Sequence, residues 1–212
     1  MTINSIIFDW DGTLGKTLHL WVAGYHRGME NQGHTFSDAE IVRDFFYEHD
    51  KGQEKFPHID FSRLVNDAYA HLHEELPKLE LYEAADETLA KLTEKGTELA
   101  LVTSSPREIL FRGMGAHNLE KYFSSIIAGD EAKVHKPHPA PFIKTMENTG
   151  MRAHDTLIIG DAGTDIVAGK AAGMKTCVFA PEENLLFHSP ENLAAAGADF
   201  MIEKLMELVE LV

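Results

Sequence analysis

The sequence predicts an α/β protein: a Rossmann-like parallel-sheet core with helices on both faces and an inserted α-helical cap. Three observations carry that expectation. Short β-rich runs alternate with amphipathic segments through most of the 212 residues. The runs carry few charges and high β-propensity, as expected for strands covered on both faces. One stretch, from about residue 16 to about residue 82, loses the strand signal and reads as helical throughout.

Strands are expected at residues 3–8, 99–103, 125–128, 156–160, 176–179 and 199–202. In the helical stretch Trp21, Tyr25 and Met29 recur at helical spacing, as do Ile41, Phe45 and, less regularly, the residues after them. A third helix is expected over 61–76, ending before Pro77, because proline donates no hydrogen bond and clashes with the preceding turn. Gly52, Pro57 and Pro77 punctuate the stretch. Beyond it, Ala85, Leu89 and Leu92 share a helical face with Gly96 as the stop, and Phe142, Ile143 and Met146 make a second face with Pro139 near its start. Leu205, Leu208, Val209 and Val212 make a last one. The expected division is a core of residues 1–15 and 83–212 and a cap of residues 16–82, the cap entering after the first strand.

Composition bounds the partners. With 19 basic and 34 acidic residues the formal charge is −15, and a field of that sign repels nucleic-acid phosphates and anionic lipid alike. No run approaches the ~20 apolar residues of a membrane span, and the short apolar start ending at Asp9 is no signal peptide. A soluble, cytoplasmic protein is expected. Cys177, the single cysteine, excludes an intrachain disulfide and reads as a buried structural thiol. Oligomeric state is left open, because apolar residues of the cap serve a core or an interface equally.

Chemistry gathers at the expected strand ends, where open α/β sheets bind ligands. Phe8-Asp9-Trp10-Asp11-Gly12-Thr13-Leu14 follows the first strand. Two carboxylates so close repel unless a cation or a shared proton relieves them, and a hard cation such as magnesium does so with oxygen ligands; an Asx turn would use the same residues. The second strand ends Val102-Thr103-Ser104-Ser105, placing hydroxyls and free N–H groups where a phosphate could be cradled, or where Ser105 could simply N-cap the next helix. His135-Lys136-Pro137-His138-Pro139 holds Lys136 on a stiffened loop, and a fixed ammonium suits a transferring phosphoryl group. Ile158-Ile159-Gly160-Asp161-Ala162-Gly163-Thr164-Asp165 puts Asp161 at a strand tip and Asp165 in the first turn of a helix, where it also suits the helix dipole. Each signal alone fits an ordinary turn, cap or surface lysine; four in order, all at strand ends, point to one crevice.

On these motifs the chain resembles the haloacid dehalogenase-like hydrolase superfamily over nearly its whole length. Asp9-Trp10-Asp11-Gly12-Thr13 is similar to the family's first motif, Thr103-Ser104 to the second, Lys136 to the third, and Gly160-Asp161 with Asp165 to the fourth. The helical insert resembles the family's cap, and the nearest likeness is to phosphoglycolate-phosphatase-like enzymes. The resemblance implies a magnesium-dependent phosphatase hydrolysing a small phosphate monoester, a phosphorylated metabolite. Asp9 is the implied nucleophile, forming an aspartyl-phosphate, with Asp11 as the general acid and base. Magnesium is implied to lie on the side chains of Asp9 and Asp161 and the backbone carbonyl of Asp11, with Asp165 orienting a metal-bound water. Thr103 and the Ser104 backbone N–H would bind the phosphoryl group, and Lys136 would hold nucleophile and phosphate together. Where many relatives continue with an acidic residue and a serine, this chain has Gly15-Lys16-Thr17. Lys16 would lie at the hinge into the cap, either drawing in an acidic substrate or simply solvated.

Two other functions keep the fold. A phosphomutase would use the same core and return the phosphoryl group to a sugar, and a catalytically idle binding module would keep the fold for recognition alone. The carboxylate of Asp11 argues against phosphonate or carbon–halogen hydrolysis. Of the twelve histidines none has convincing zinc-ligand spacing, His71 and His73 included. His19, His26 and Arg27 on the first cap helix could meet substrate or solvent. Trp21 and Tyr25 read as cap core, and Arg107 as an exposed residue at a helix start.

Overall fold

The computed structural model describes residues 2–46 and 49–212; of the irregular continuation expected after Phe45, Tyr47 and Glu48 lie outside the described residues. The chain divides into two compact units, Met1–Lys16 with Glu80–Val212, and Thr17–Leu79. Strand β1 (Ser5–Phe8) opens the first unit, and the second unit follows it in sequence with α1 (Leu18–Glu30), α2 (Asp38–Ile41), α3 (His49–Lys55) and α4 (Phe61–Glu75). Helices α1 and α4 meet closely because Gly24 and Gly28 leave room: a Cβ at residue 24 would lie 2.9 Å from the Ala68 Cα, and one at residue 28 would lie 2.8 Å from the Leu64 Cδ1. Tyr25 and Met29 are buried there, while Trp21 is half-buried with its ring edge-on to Tyr69 at 5.5 Å.

The first unit continues with α5 (Ala85–Glu94), β2 (Glu98–Val102), α6 (Arg107–Gly115), β3 (Phe123–Ile127), α7 (Ala140–Thr149), β4 (Thr156–Gly160), α8 (Gly163–Ala171), β5 (Lys175–Phe179), α9 (Pro190–Ala196) and β6 (Phe200–Ile202). The sheet order is β3-β2-β1-β4-β5-β6 and every pairing is parallel. Every expected strand run falls on one of these strands. The sheet is covered on both faces, as period-two side-chain alternation shows. Ile7, Ala100, Val102 and Ile158 pack with Phe142 of α7 and Ala168 of α8. Their neighbours Ile6, Phe8, Leu101, Leu157 and Ile159, which point the other way, are fully buried too. The edge strand β6 is only three residues long, a length that limits the unpaired edge it offers.

Two helical faces differ from expectation. In α7 the buried positions are Pro141, Phe142 and Thr145, while Ile143 is 40% exposed. Residues 142 and 146 lie on one side of a 3.6-residue turn, and 143 is carried 100° round from 142 toward solvent. The terminal segment Leu205–Glu210 is a 3-10 helix, so burial falls on Leu205 and Leu208, three apart, with Val209 only half-buried. Among the described residues no helix is long and apolar enough to cross a membrane.

Candidate active site

The chain runs from β1 through β2 to β3 on one side, then returns to the other side of β1 with β4. The crevice at such a reversal, beyond the carboxyl ends of the strands, is where doubly wound sheets bind ligands. Register brings the expected residues there in step. Phe8 is opposite both Leu101 and Ile159, and the Asp9 N–H extends the ladder by donating to the Ile159 carbonyl at 2.9 Å. Thr103 follows β2 directly, its N–H donating to the Ile127 carbonyl at 3.0 Å, and Asp161 follows β4 directly.

The turn after Asp9 is set by its backbone. The Trp10 carbonyl accepts from the N–H groups of Thr13, Leu14 and Gly15 at 3.2, 3.0 and 3.1 Å, and Gly12 takes φ +75°, a conformation open to glycine without a Cβ penalty. After β4 the chain enters α8, and Asp165 in its first turn folds back to accept from the Ala162 N–H at 3.3 Å. Residue 160 has to be glycine for this, since a Cβ there would overlap the Asp165 carboxylate. The capping role foreseen for Asp165 is thus real, but it occupies only one of its two oxygens.

Asp9, Asp161 and Asp165 are all buried, and one oxygen from each lies within 4.8 Å of the others. Lys136 sits among them, its Nζ 2.6 Å from Asp9 Oδ1 and 2.7 Å from Asp165 Oδ1, with 6% of its side chain exposed. Burial works against the lysine's charge, but Asp165 and Asp9 outweigh it and hold its pKa above the ordinary lysine value. Burial pushes the Asp9 carboxyl well above the usual carboxylate range against the pull of Lys136, and Asp165, Asp161 and Asp11 add to the push. Asp161 is raised by burial too, with a hydrogen bond from His188 pulling the other way. With all three carboxylates ionised, the single ammonium would leave two negative charges uncompensated in a buried place. A divalent cation would supply that compensation. The all-oxygen donor set and the 4.8 Å spread suit a hard ion, whose ligands lie about 2.0–2.6 Å away.

Asp11 stands apart from this cluster. Its Oδ2 accepts from the hydroxyls of Thr103 at 3.1 Å and Ser105 at 2.6 Å. Thr103 in turn accepts from the Ser105 N–H at 3.0 Å. Ser105 is therefore not the cap of α6, whose N-cap position is Pro106 without a side-chain bond, and Ser104 is exposed. The clustered side chains are Asp9, Asp161 and Asp165; the metal role expected for Asp11 is through its backbone carbonyl, so its side chain is not needed in the cluster. The signal for Ser105 was its position two residues beyond Thr103, which returns it to the same side of the chain.

No sequence motif marks the loop after β5, which also reaches the site. His188 Nε2 is 2.9 Å from Asp161 Oδ2. Asn184 donates to the Gly12 carbonyl at 2.9 Å and accepts from the Tyr82 hydroxyl at 2.5 Å. Lys16 pairs with Glu183 of the same loop at 3.1 Å, its Nζ 5.6 Å from the centre of the Tyr82 ring. Other candidates are engaged elsewhere. His26 meets Asp38 at 2.7 Å and Arg27 meets Glu74 at 2.7 Å within the helical unit, and Arg107 meets Glu131 at 2.9 Å. Cys177 is buried and its thiol is pushed up to about 12 by that burial.

Comparison with known proteins bears on the family and the fold. A family model described as haloacid dehalogenase-like hydrolase matches residues 6–179. The chain is 32% identical over 216 aligned residues to pyrophosphatase PpaX of Anoxybacillus flavithermus, covering 100% of this chain and 97% of that one. Among solved structures, a protein of Haemophilus somnus described as a predicted phosphoglycolate phosphatase superposes with a TM-score of 0.85 at 21% identity, covering 99% of this chain and 98% of that one. CbbY of Rhodobacter sphaeroides, solved in complex with phosphate, gives 0.80 at 18% identity over 98% and 96%. At those identities the two structures speak for the fold.

Proposed function

This chain belongs to the haloacid dehalogenase-like hydrolase family, and from that premise we propose that it is a magnesium-dependent phosphatase that cleaves a small phosphate ester through an aspartyl-phosphate at Asp9. One observation carries the reading: three buried carboxylates cluster at the strand ends, two of them paired with one lysine, while a fourth, Asp11, is held separately by two hydroxyls. Separate environments let two neighbouring aspartates do different work.

A carboxylate oxygen of Asp9 attacks phosphorus, and the bond from phosphorus to the leaving oxygen breaks. Asp11, protonated at this point, gives its proton to that oxygen. Asp11 then takes a proton from water, whose oxygen displaces the Asp9 carboxylate from phosphorus and frees phosphate. The hydroxyls of Thr103 and Ser105 fix the Asp11 carboxylate for both transfers. Lys136, tied to Asp9 and Asp165, opposes the effect of burial on the nucleophile's charge and holds it in place, so that most of the catalysis is positioning and charge stabilisation. Magnesium held by Asp9 and Asp161, with Asp165 adjacent and the Asp11 backbone carbonyl as the implied third ligand, would supply charge neutralisation on the phosphoryl oxygens. Thr103 and the Ser104 N–H are read as phosphate contacts, and residues 17–79 as the cap.

The relative named pyrophosphatase favours a second substrate, inorganic pyrophosphate, through the same steps with phosphate as the leaving group. A screen of phosphorylated metabolites together with pyrophosphate, with magnesium present and ranked by kcat/KM, separates the two. Asp9→Asn is expected to lower phosphate release on the order of 10³-fold or more; an unchanged rate in a cleanly purified preparation sinks the mechanism.

A further inference from the structure

We propose that His188 is a positioning residue that holds Asp161 in the orientation a divalent cation requires, making the loop after β5 part of the active site. Each of the three buried carboxylates pairs with one side-chain nitrogen. Lys136 takes Asp9 and Asp165, and the third, Asp161, is taken by His188 through Oδ2 at 2.9 Å. An ionised carboxylate can only accept, so the imidazole Nε2–H donates. That bond fixes rotation about the last side-chain torsion of Asp161 and leaves Oδ1 as its unshared ligand atom. Without it a buried carboxylate beside an ammonium would turn toward Lys136, which already serves two.

The histidine is itself held. Its side chain is 9% exposed, its N–H donates to the Asn184 carbonyl at 3.1 Å, and Ser189, the next residue, N-caps α9 by accepting from Asn192. Phe187 beside it is buried. Asn184 ties the same loop to the turn of the first motif through the Gly12 carbonyl. One short segment therefore braces both the turn that follows the proposed nucleophile and the acid at the tip of β4. None of the four motifs contains this segment.

The inference rests on Asp161 being a metal ligand, and the experiment tells the two apart. The metal-stripped full chain is titrated with Mn²⁺ while free ion is followed by electron paramagnetic resonance, and thermal unfolding in EDTA checks that each variant folds. H188L is expected to weaken Mn²⁺ binding about 10- to 100-fold, the usual loss when the partner of a metal ligand is removed. H188Q, whose amide N–H has the reach of Nε2, should stay within about threefold of wild type. H188N, too short to reach Oδ2, should behave like H188L and serves in its place if H188L does not fold. Wild-type affinity in H188L or H188N, with binding lost in Asp161→Asn, overturns the role of His188 and leaves the metal reading standing. Equal weakness of H188Q and H188L also overturns it, since the hydrogen bond would then not be the cause. No Mn²⁺ binding by the wild type overturns both.

Discussion

Replacing Lys136 by methionine keeps the length and bulk of the side chain and removes its charge. The two contacts, at 2.6 and 2.7 Å, each represent about 6 kcal/mol of Coulomb attraction at an effective dielectric near 20. Desolvation of the ammonium and the carboxylates cancels much of this, and removing one partner of a buried pair costs about 3–5 kcal/mol overall. In a chain of this size 1 kcal/mol moves Tm by about 2–4 °C, so K136M should melt roughly 6–20 °C lower in EDTA. The deficit should also depend on pH. The Asp9 carboxyl is raised in the folded state above its ordinary 3.8, so its contribution favours folding below that value and is lost as pH rises through the folded value. Without the lysine the carboxylates repel more strongly once ionised, and the deficit should be larger near pH 8 than near pH 5. Magnesium should shrink it without restoring activity. Differential scanning calorimetry of both proteins, in EDTA and in magnesium at the two pH values, reads all of this. A K136M protein melting with the wild type in EDTA near pH 8, or a deficit indifferent to pH, would refute the account of an under-neutralised acidic cluster.

Two further outcomes are expected. Gly160→Ala should push the Asp165 carboxylate off its place against the backbone, costing about 1–3 kcal/mol of stability and weakening Mn²⁺ binding; melting and binding like wild type would mean that the close approach is not needed. Cys177, buried with its thiol pushed up to about 12, should resist an aromatic disulfide reagent near pH 8 and react as one equivalent only after denaturation in guanidinium. Rapid labelling of the native protein would contradict its place in β5.

The sequence alone determined the sheet and the motif residues, because both are local. A strand covered on both faces reads as a short apolar run, and the residue after such a run stands at the crevice whatever else the fold does. Asp9, Thr103 and Asp161 were legible for that reason. Asp165 was legible as a cap, though its second role, sharing Lys136 with Asp9, depends on how far the turn after Gly160 bends back. What only the tertiary structure decided is pairing over long separations. The position of Ser105 fits a helix cap and a phosphate cradle alike, and only the fold puts its hydroxyl on Asp11, 94 residues away. His188 was one of twelve histidines with no spacing to mark it, and its partner Asp161 lies 27 residues off across α8 and β5. No periodicity encodes such a contact: the loop that carries His188 is irregular, and its path is fixed by Asn184 meeting Gly12, 172 residues distant. Residue types at strand ends fixed the chemistry available to this protein, and the folded loops decided which oxygen each of those side chains presents.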